Sequence, residues 1–286
     1  MTERPDQTPI TSPRSERVRR IAALAGRSAR RKQERIRVEG PQAVRSLLTE
    51  APHLALDVYL TERANADHPE LAERARAAAI PLHPVSEEIL RAMLREQNAP
   101  GTLVTPQGVV AIARSPRSPE LDGLLREVGA DGAPLSLLVL HEVRDPGNVG
   151  TLIRTADAAG TAGVILTRTC ADPFSPKAIR ASVGSVFHLP IVQDAAIEDV
   201  LHSLAEHAVT AAATSGYAPH DLFSTDLPER IAWILGNEAH GLDEATLQAA
   251  PLAVRIPLAG RAESLNVHTA ATVCLFETLR RRSAAS

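Results

Sequence analysis

Three stretches concentrate the residues that could do chemistry. "HEVRDPGNVGTLIRTADAAG" (141–160) leaves an apolar strand through the turn Asp145-Pro146-Gly147 and carries Asn148 and Arg154 into a helix. "ILGNEAHGL" (234–242) sets Glu238 beside backbone amides that glycines leave open. "IPLAGRAESLNVHTAA" (256–271) holds Arg261, Glu263, Ser264 and Asn266 within six positions, then enters a second helix. The Asp-Pro-Gly-Asn run serves equally well as a turn and helix cap. Arg154 is different: a guanidinium between Ile153 and Thr155 in a small, apolar helix requires a partner. Glycines of a plain strand-to-helix turn do not account for Glu238 either. Such loops offer open backbone and a few polar groups, which suits holding a small molecule and aligning a second reactant.

Other chemistries find less support. No GxxxxGK[ST] loop is present, and no GxGxxG follows a strand with an acidic residue downstream, so a nucleotide-triphosphate or dinucleotide site is not indicated. Ser264, His268 and Asp243 could be drawn as a hydrolase set, but no nucleophile-elbow sequence presents the serine. Cys170 and Cys274, the only cysteines, lie far apart without metal-ligand spacing. No zinc site and no disulfide framework are expected, and a reducing cytoplasm suits such a chain. No apolar run approaches the ~18 residues that span a bilayer. The N-terminal segment lacks the apolar stretch of a secretory signal.

The elements that must position these loops read as an α/β protein. Residues 1–26 are rich in Pro, Thr, Ser and Arg and read as a disordered basic arm. Residues 27–115 alternate helix and strand: a helix after Pro41, "ALDVYLT" as a strand, a helix opened by Ser86, and "GVVAIARS" as a closing strand. A Pro/Gly-containing linker spans 116–133, and residues 134–286 form the larger domain. There, apolar strands alternate with amphipathic helices, as in a mostly parallel sheet covered on both faces.

Charge is unevenly placed. The 286-residue chain has a formal charge of −3, yet residues 1–45 contain twelve Lys/Arg against five Asp/Glu. A basic head on an acidic body fits polyanion binding. Aromatic residues are only 2% of the chain. RNA contact would therefore rest on arginine, backbone amides and shape more than on stacking platforms. Arg27, Arg30, Arg35 and Arg37 are the expected phosphate contacts.

Taken in order, the three loops resemble the three motifs of the SpoU/TrmH class of SPOUT RNA ribose methyltransferases. "SPKAIRASVGSVFHLPI" (175–191) is similar to that family's linker between its first two motifs. "RIRVEGPQAV" and "PQGVVAIA" resemble the small ribosomal-protein-like RNA-binding domain that often precedes the catalytic one. The resemblance spans roughly residues 27 to 286.

It implies a trefoil knot at the C-terminal end of the sheet, a homodimer, and S-adenosylmethionine bound in the knot. By position in the motifs, Thr214, Gly216, Gly236, Asn237, Glu238, Ile256, Leu258, Ser264, Leu265 and Asn266 would hold the cofactor. Asn148, Arg154, Glu238, Ser264 and Asn266 would serve catalysis. The implied reaction is methylation of a ribose 2′-hydroxyl in structured RNA, ribosomal RNA ahead of transfer RNA. A base-directed enzyme and a non-catalytic RNA-binding or ribosome-assembly protein are the alternatives. Guanidinium stays protonated in proteins, so Arg154 is expected to orient the hydroxyl through a phosphate and stabilise developing alkoxide charge. Asn148, Ser264 and Asn266 would position sugar and arginine. Glu238 would hold neighbouring backbone or the arginine.

Overall fold

The computed structural model describes residues 10–95 and 107–285. Part of "PQGVVAIA", its Pro106, lies outside them. The chain folds as two compact units. The first combines Met1–Pro116 with Phe174–His188, the second Arg117–Pro173 with Leu189–Ser286. Among the described residues no helix is long and apolar enough to cross a membrane.

The first unit is built on a four-stranded sheet. Strands β1 (Arg35–Glu39), β2 (Ala55–Leu60), β3 (Leu82–Pro84) and β4 (Val109–Arg114) lie in the order β1-β4-β2-β3. β4 runs antiparallel to both neighbours, and β2 is parallel to β3. Helices α1 (Glu16–Ala23), α2 (Arg27–Gln33), α3 (Pro41–Glu50), α4 (Glu62–Asp67), α5 (Pro69–Ala77) and α6 (Glu87–Met93) surround it. Local chemistry explains the starts. Ser15, Thr61 and Ser86 each accept a backbone N–H of the first turn, and Pro41 and Pro69 open their helices where a missing N–H costs nothing.

Two expectations are corrected here, and one strand appears that the sequence pattern did not announce. Residues 16–26 are not a mobile arm: Val18, Ile21 and Leu24 are buried with Tyr59, Leu90 and Met93 in one core. The amphipathic spacing hidden among arginines supplies the burial that holds α1. "RIRVE" is the strand β1, its alternation short and masked by charge. Residues 174–188 belong to this unit, although the chain enters and leaves them through the second. Their helix α9 (Pro176–Ser182) carries Arg180, whose Nη1 donates to Glu39 Oε2 at 2.6 Å. Gly184, at φ +101°, would drive a Cβ to 2.4 Å from Ser46 Oγ, so only glycine admits that approach to α3.

The second unit is a seven-stranded sheet, parallel throughout. Strands β5 (Leu135–Leu140), β6 (Gly163–Thr167), β7 (Ile191–Ala195), β8 (Thr210–Thr214), β9 (His220–Asp221), β10 (Arg230–Leu235) and β11 (Leu252–Arg255) take the order β7-β6-β5-β10-β8-β11-β9. Neither β7 nor β9 is legible in the sequence: Gln193 and Asp194 break the apolar run of β7, and β9 has two residues. The helices are α7 (Leu121–Gly129), α8 (Pro146–Ala158), α10 (Ile197–Glu206), α11 (Glu244–Ala249) and α12 (Val267–Ala285).

Alternation along the strands sends side chains to both faces. Leu137, Val139, Ala232 and Ile234 pack with Leu124, Leu125, Val200 and Leu204 of α7 and α10. Trp233, fully buried, donates its Nε1–H to Thr278 Oγ1 of α12 at 3.0 Å. From β5 the sheet grows outward through β6 and β7, then resumes on the other side with β8. The loops after β5, β10, β8 and β11 thus leave one sheet edge side by side, where doubly wound α/β proteins bind ligands.

Candidate functional site

At this edge Glu238 organises the loop after β5. Its Oε1 accepts Asn148 Nδ2–H at 2.9 Å and the Asp145 N–H at 3.3 Å, and its Oε2 accepts the Arg144 N–H at 3.4 Å. Partial burial alone would raise its pKa. The hydrogen bonds from Asn148, from its own backbone and from Asp145 and Arg144 outweigh that and hold the carboxyl below its ordinary range. Asp145 caps α8 by accepting the Asn148 N–H at 3.0 Å. One carboxylate thus fixes the start of a helix from across the sheet edge.

The glycine before it has a strict steric reason. A Cβ on Gly236 would lie 2.2 Å from the Gly241 carbonyl carbon. That tightness lets Asn237 and Gly241 exchange backbone hydrogen bonds at 3.0 and 2.9 Å. Asn237 Nδ2 donates to the Glu142 carbonyl at 2.9 Å, tying this turn to the end of β5. Glu142 itself sits in the left-handed region at φ 55°.

The remaining cofactor candidates follow β8 and β11, the next two strands. Thr214 is half-buried and donates its hydroxyl to the Ile234 carbonyl at 3.0 Å. A Cβ on Gly216 would be 3.7 Å from the Glu263 carbonyl oxygen, so these two loops pass close, main chain to main chain. Ile256 and Leu265 are half-buried, while Leu258, Ser264 and Asn266 are exposed. Asn266 also caps α12, its Oδ1 accepting the His268 N–H at 2.9 Å. The ends of three adjacent strands, β10, β8 and β11, and the loops that follow them thus carry Thr214, Gly216, Gly236, Asn237, Glu238, Ile256, Leu258, Ser264, Leu265 and Asn266.

Arg154 lies on α8, exposed, its side chain making no hydrogen bond or ion pair among the described residues. Glu238 does not hold it; of the two expected roles for Glu238, the structure places it on neighbouring backbone. Sequence reasoning passed over Thr155, whose Oγ1 lies 2.8 Å from His268 Nε2 and links α8 to α12. It also passed over the Arg144 and Asp145 amides, which meet Glu238 through backbone that no side-chain pattern reveals. His141 is tied to Thr167 Oγ1 at 3.1 Å and to Asp243 Oδ2 at 3.4 Å.

In the first unit, two expected phosphate contacts are corrected. Arg37 is fully buried, paired to Glu39 Oε1 at 2.7 Å and donating to the Met93 carbonyl at 2.6 Å. Arg30 is buried and donates to the Leu24 and Ala25 carbonyls at 2.9 and 2.7 Å. Both are structural: their donors saturate carbonyls that the helix ends leave unpaired. Arg27 is exposed and Arg35 half-buried.

Comparison with known proteins bears on this geometry. Residues 136–276 match the SpoU rRNA Methylase family, and residues 37–119 match the RNA 2′-O ribose methyltransferase substrate binding family. An uncharacterized tRNA/rRNA methyltransferase of Synechocystis sp. is 32% identical, covering 98% of this chain and 97% of its own. The 23S rRNA (guanosine-2′-O-)-methyltransferase RlmB of Bordetella pertussis is 33% identical, covering 85% and 96%. The AdoMet-bound rRNA methyltransferase from Sinorhizobium meliloti superposes with a TM-score of 0.78 at 31% identity, covering 96% of this chain and 98% of its own. With the three motif loops together at one sheet edge and likeness along nearly the whole chain, the protein belongs to the SpoU rRNA methylase family.

Proposed function

We propose that this protein is an S-adenosylmethionine-dependent methyltransferase that modifies a ribose 2′-hydroxyl of ribosomal RNA. The observation that carries the proposal is the convergence of the loops after β10, β8 and β11 beside a helix bearing an uncommitted arginine. The residues fit the cofactor. Main-chain groups at Gly216 and Gly236–Glu238 suit a nucleoside's polar edges, Ile256 and Leu258 offer apolar faces, and exposed Glu238 and Glu263 favour a positive charge. When bound, the cofactor supplies a methyl group made electrophilic by a sulfonium. The chain must then align the hydroxyl and stabilise the charge that grows on its oxygen.

Arg154 is assigned that task. A guanidinium offers donors and no acceptor, so it serves as a donor: it holds a substrate phosphate and faces the developing alkoxide. Asn148, fixed by Glu238, would set the sugar beside it, with Ser264 and Asn266 on the opposite loop. Alignment of this kind supplies much of the rate of a two-reactant step. Arg27 and Arg35 of the first unit would contact phosphates. A homodimer accompanies the proposal, supported by Phe276 and Leu279, exposed on α12 where that helix packs along α8. So does a knotted C-terminal passage, supported by the insertion of β10 between β5 and β8. The named RlmB relatives make a guanosine of 23S rRNA the first target to examine.

The test is transfer of tritiated methyl to an unmodified 23S rRNA transcript, with the product mapped to a single nucleotide. One 2′-O-methylated ribose, lost in Arg154→Ala, supports the proposal. Label on a base, or no calorimetric binding of millimolar S-adenosylmethionine, overturns it.

A further inference from the structure

The turn after β8 carries a feature that neither cofactor binding nor methyl transfer requires. Tyr217 is 97% exposed, the most open of the large apolar side chains described, in a chain with only seven aromatic residues. An isolated ring in water gains nothing for the fold. The turn beneath it is nevertheless built firmly. Tyr217 N–H donates to Ser215 Oγ at 3.3 Å and Ala218 N–H to the Ser215 carbonyl at 3.2 Å, and Ala218 is buried. Arg255 Nη1 donates to the Ala218 and Pro219 carbonyls at 2.9 and 2.7 Å, clamping the turn from β11.

We infer that Tyr217 is a stacking platform for an unpaired base of the RNA, held rigidly at the rim of the candidate cofactor site. The inference rests on the proposed RNA substrate and deepens it. A Cβ on Gly216, the neighbouring residue, would lie 3.7 Å from the Glu263 carbonyl oxygen. Tyr217 is therefore carried beside the loop bearing Arg261, which is exposed and makes no hydrogen bond or ion pair among the described residues. A ring for a base and a guanidinium for the adjoining phosphate are the two parts of a single-strand site. A tyrosine on a clamped turn offers its face with little ordering cost. A second copy of the chain would want a broader apolar patch; an exposed ring with exposed Arg261 on the neighbouring loop and exposed His220 further along its own segment suits a nucleotide better.

The experiment uses the full chain and an unmodified 23S rRNA transcript, reading RNA affinity by filter binding separately from methyl transfer. Tyr217→Ala should weaken RNA binding about 10- to 100-fold, Tyr217→Phe should stay within about threefold, and S-adenosylmethionine affinity should not move. Arg261→Gln should reduce the slope of log Kd against log salt by about 0.7. Unchanged RNA affinity in Tyr217→Ala overturns the inference. So does a shift in oligomeric state by sedimentation, which would make this face a contact between copies. Tyr217-dependent RNA binding without any methyl transfer would sink the methyltransferase proposal while leaving the platform standing.

Discussion

Asn148 and Glu238, ninety residues apart in sequence, are joined by a 2.9 Å hydrogen bond that ties the first turn of α8 to the loop after β10. The same carboxylate receives two backbone amides from residues 144 and 145. Its worth is geometric: it decides where α8, and with it Arg154, points relative to the strand ends. Glu238→Ala should lower turnover on the RNA transcript about 100-fold, the scale of an ångström of misplacement. Asn148→Ala should act on the same contact, so the double variant should lose less than the product of the two. Full additivity in that cycle would show that the pair does not act as a unit.

Arg154 should be the most sensitive single position for chemistry. Arg154→Ala is expected to cost about 100- to 1,000-fold in kcat, the range for removing a donor to developing oxyanion charge. Arg154→Lys should recover only part, because a point charge replaces a planar fork. Cofactor affinity by calorimetry should stay near wild type in both, and near-normal kcat in both would remove the residue from the reaction.

Gly236→Ala tests the turn itself. The added methyl would meet main-chain atoms of Gly241 and Leu242 at 2.2–2.4 Å. Backbone cannot step aside as a side chain would, so a loss of about 1–3 kcal/mol is expected. A lower Tm together with weaker S-adenosylmethionine binding would be seen; an unchanged Tm would show that the turn has room.

Glu39 is the centre of a buried charge cluster in the first unit, between Arg37 and Arg180. Glu39→Ala leaves Arg37 buried and uncompensated, a change that typically costs about 3–5 kcal/mol. Thermal unfolding should reveal it. Deletion of residues 1–116 should likewise destabilise the chain, because Phe174–His188 would lose their packing partners.

Acid should loosen the end of α12. Hydrogen bonds from Arg280, and then Arg281, outweigh partial desolvation and draw the Glu277 pKa down to about 2. A carboxyl whose pKa is depressed on folding adds stability above its ordinary value near 4.5, and that contribution fades as pH falls toward about 2. Arg281 also donates to the Leu222 carbonyl at 2.7 Å. The protection factors of amides at 222–225, taken relative to intrinsic exchange, should fall below pH 4, and Glu277→Gln should remove that pH dependence of protection.

Much of the architecture could be read from local chemistry. Apolar runs such as "LSLLVL" and "GVILT" announce buried parallel strands, and Ser86, Pro41 and the Asp145-Pro146-Gly147 turn mark helix starts, because capping and periodicity depend only on neighbours in sequence. The motifs' fixed order also singled out the loops bearing Asn148, Glu238 and Asn266, which follow strands of one parallel sheet. What only the tertiary structure decided depends on partners far along the chain. Arg30 and Arg37 look like phosphate contacts until burial and pairing with carbonyls and Glu39 show otherwise. Segment 174–188 sits in a methyltransferase sequence yet packs on β1 and α3, since an ion pair reaching from Arg180 to Glu39 and a close approach of Gly184 to Ser46 outweigh sequence proximity. Charge and hydropathy identify which side chains need a partner; only the fold chooses which partner each one receives.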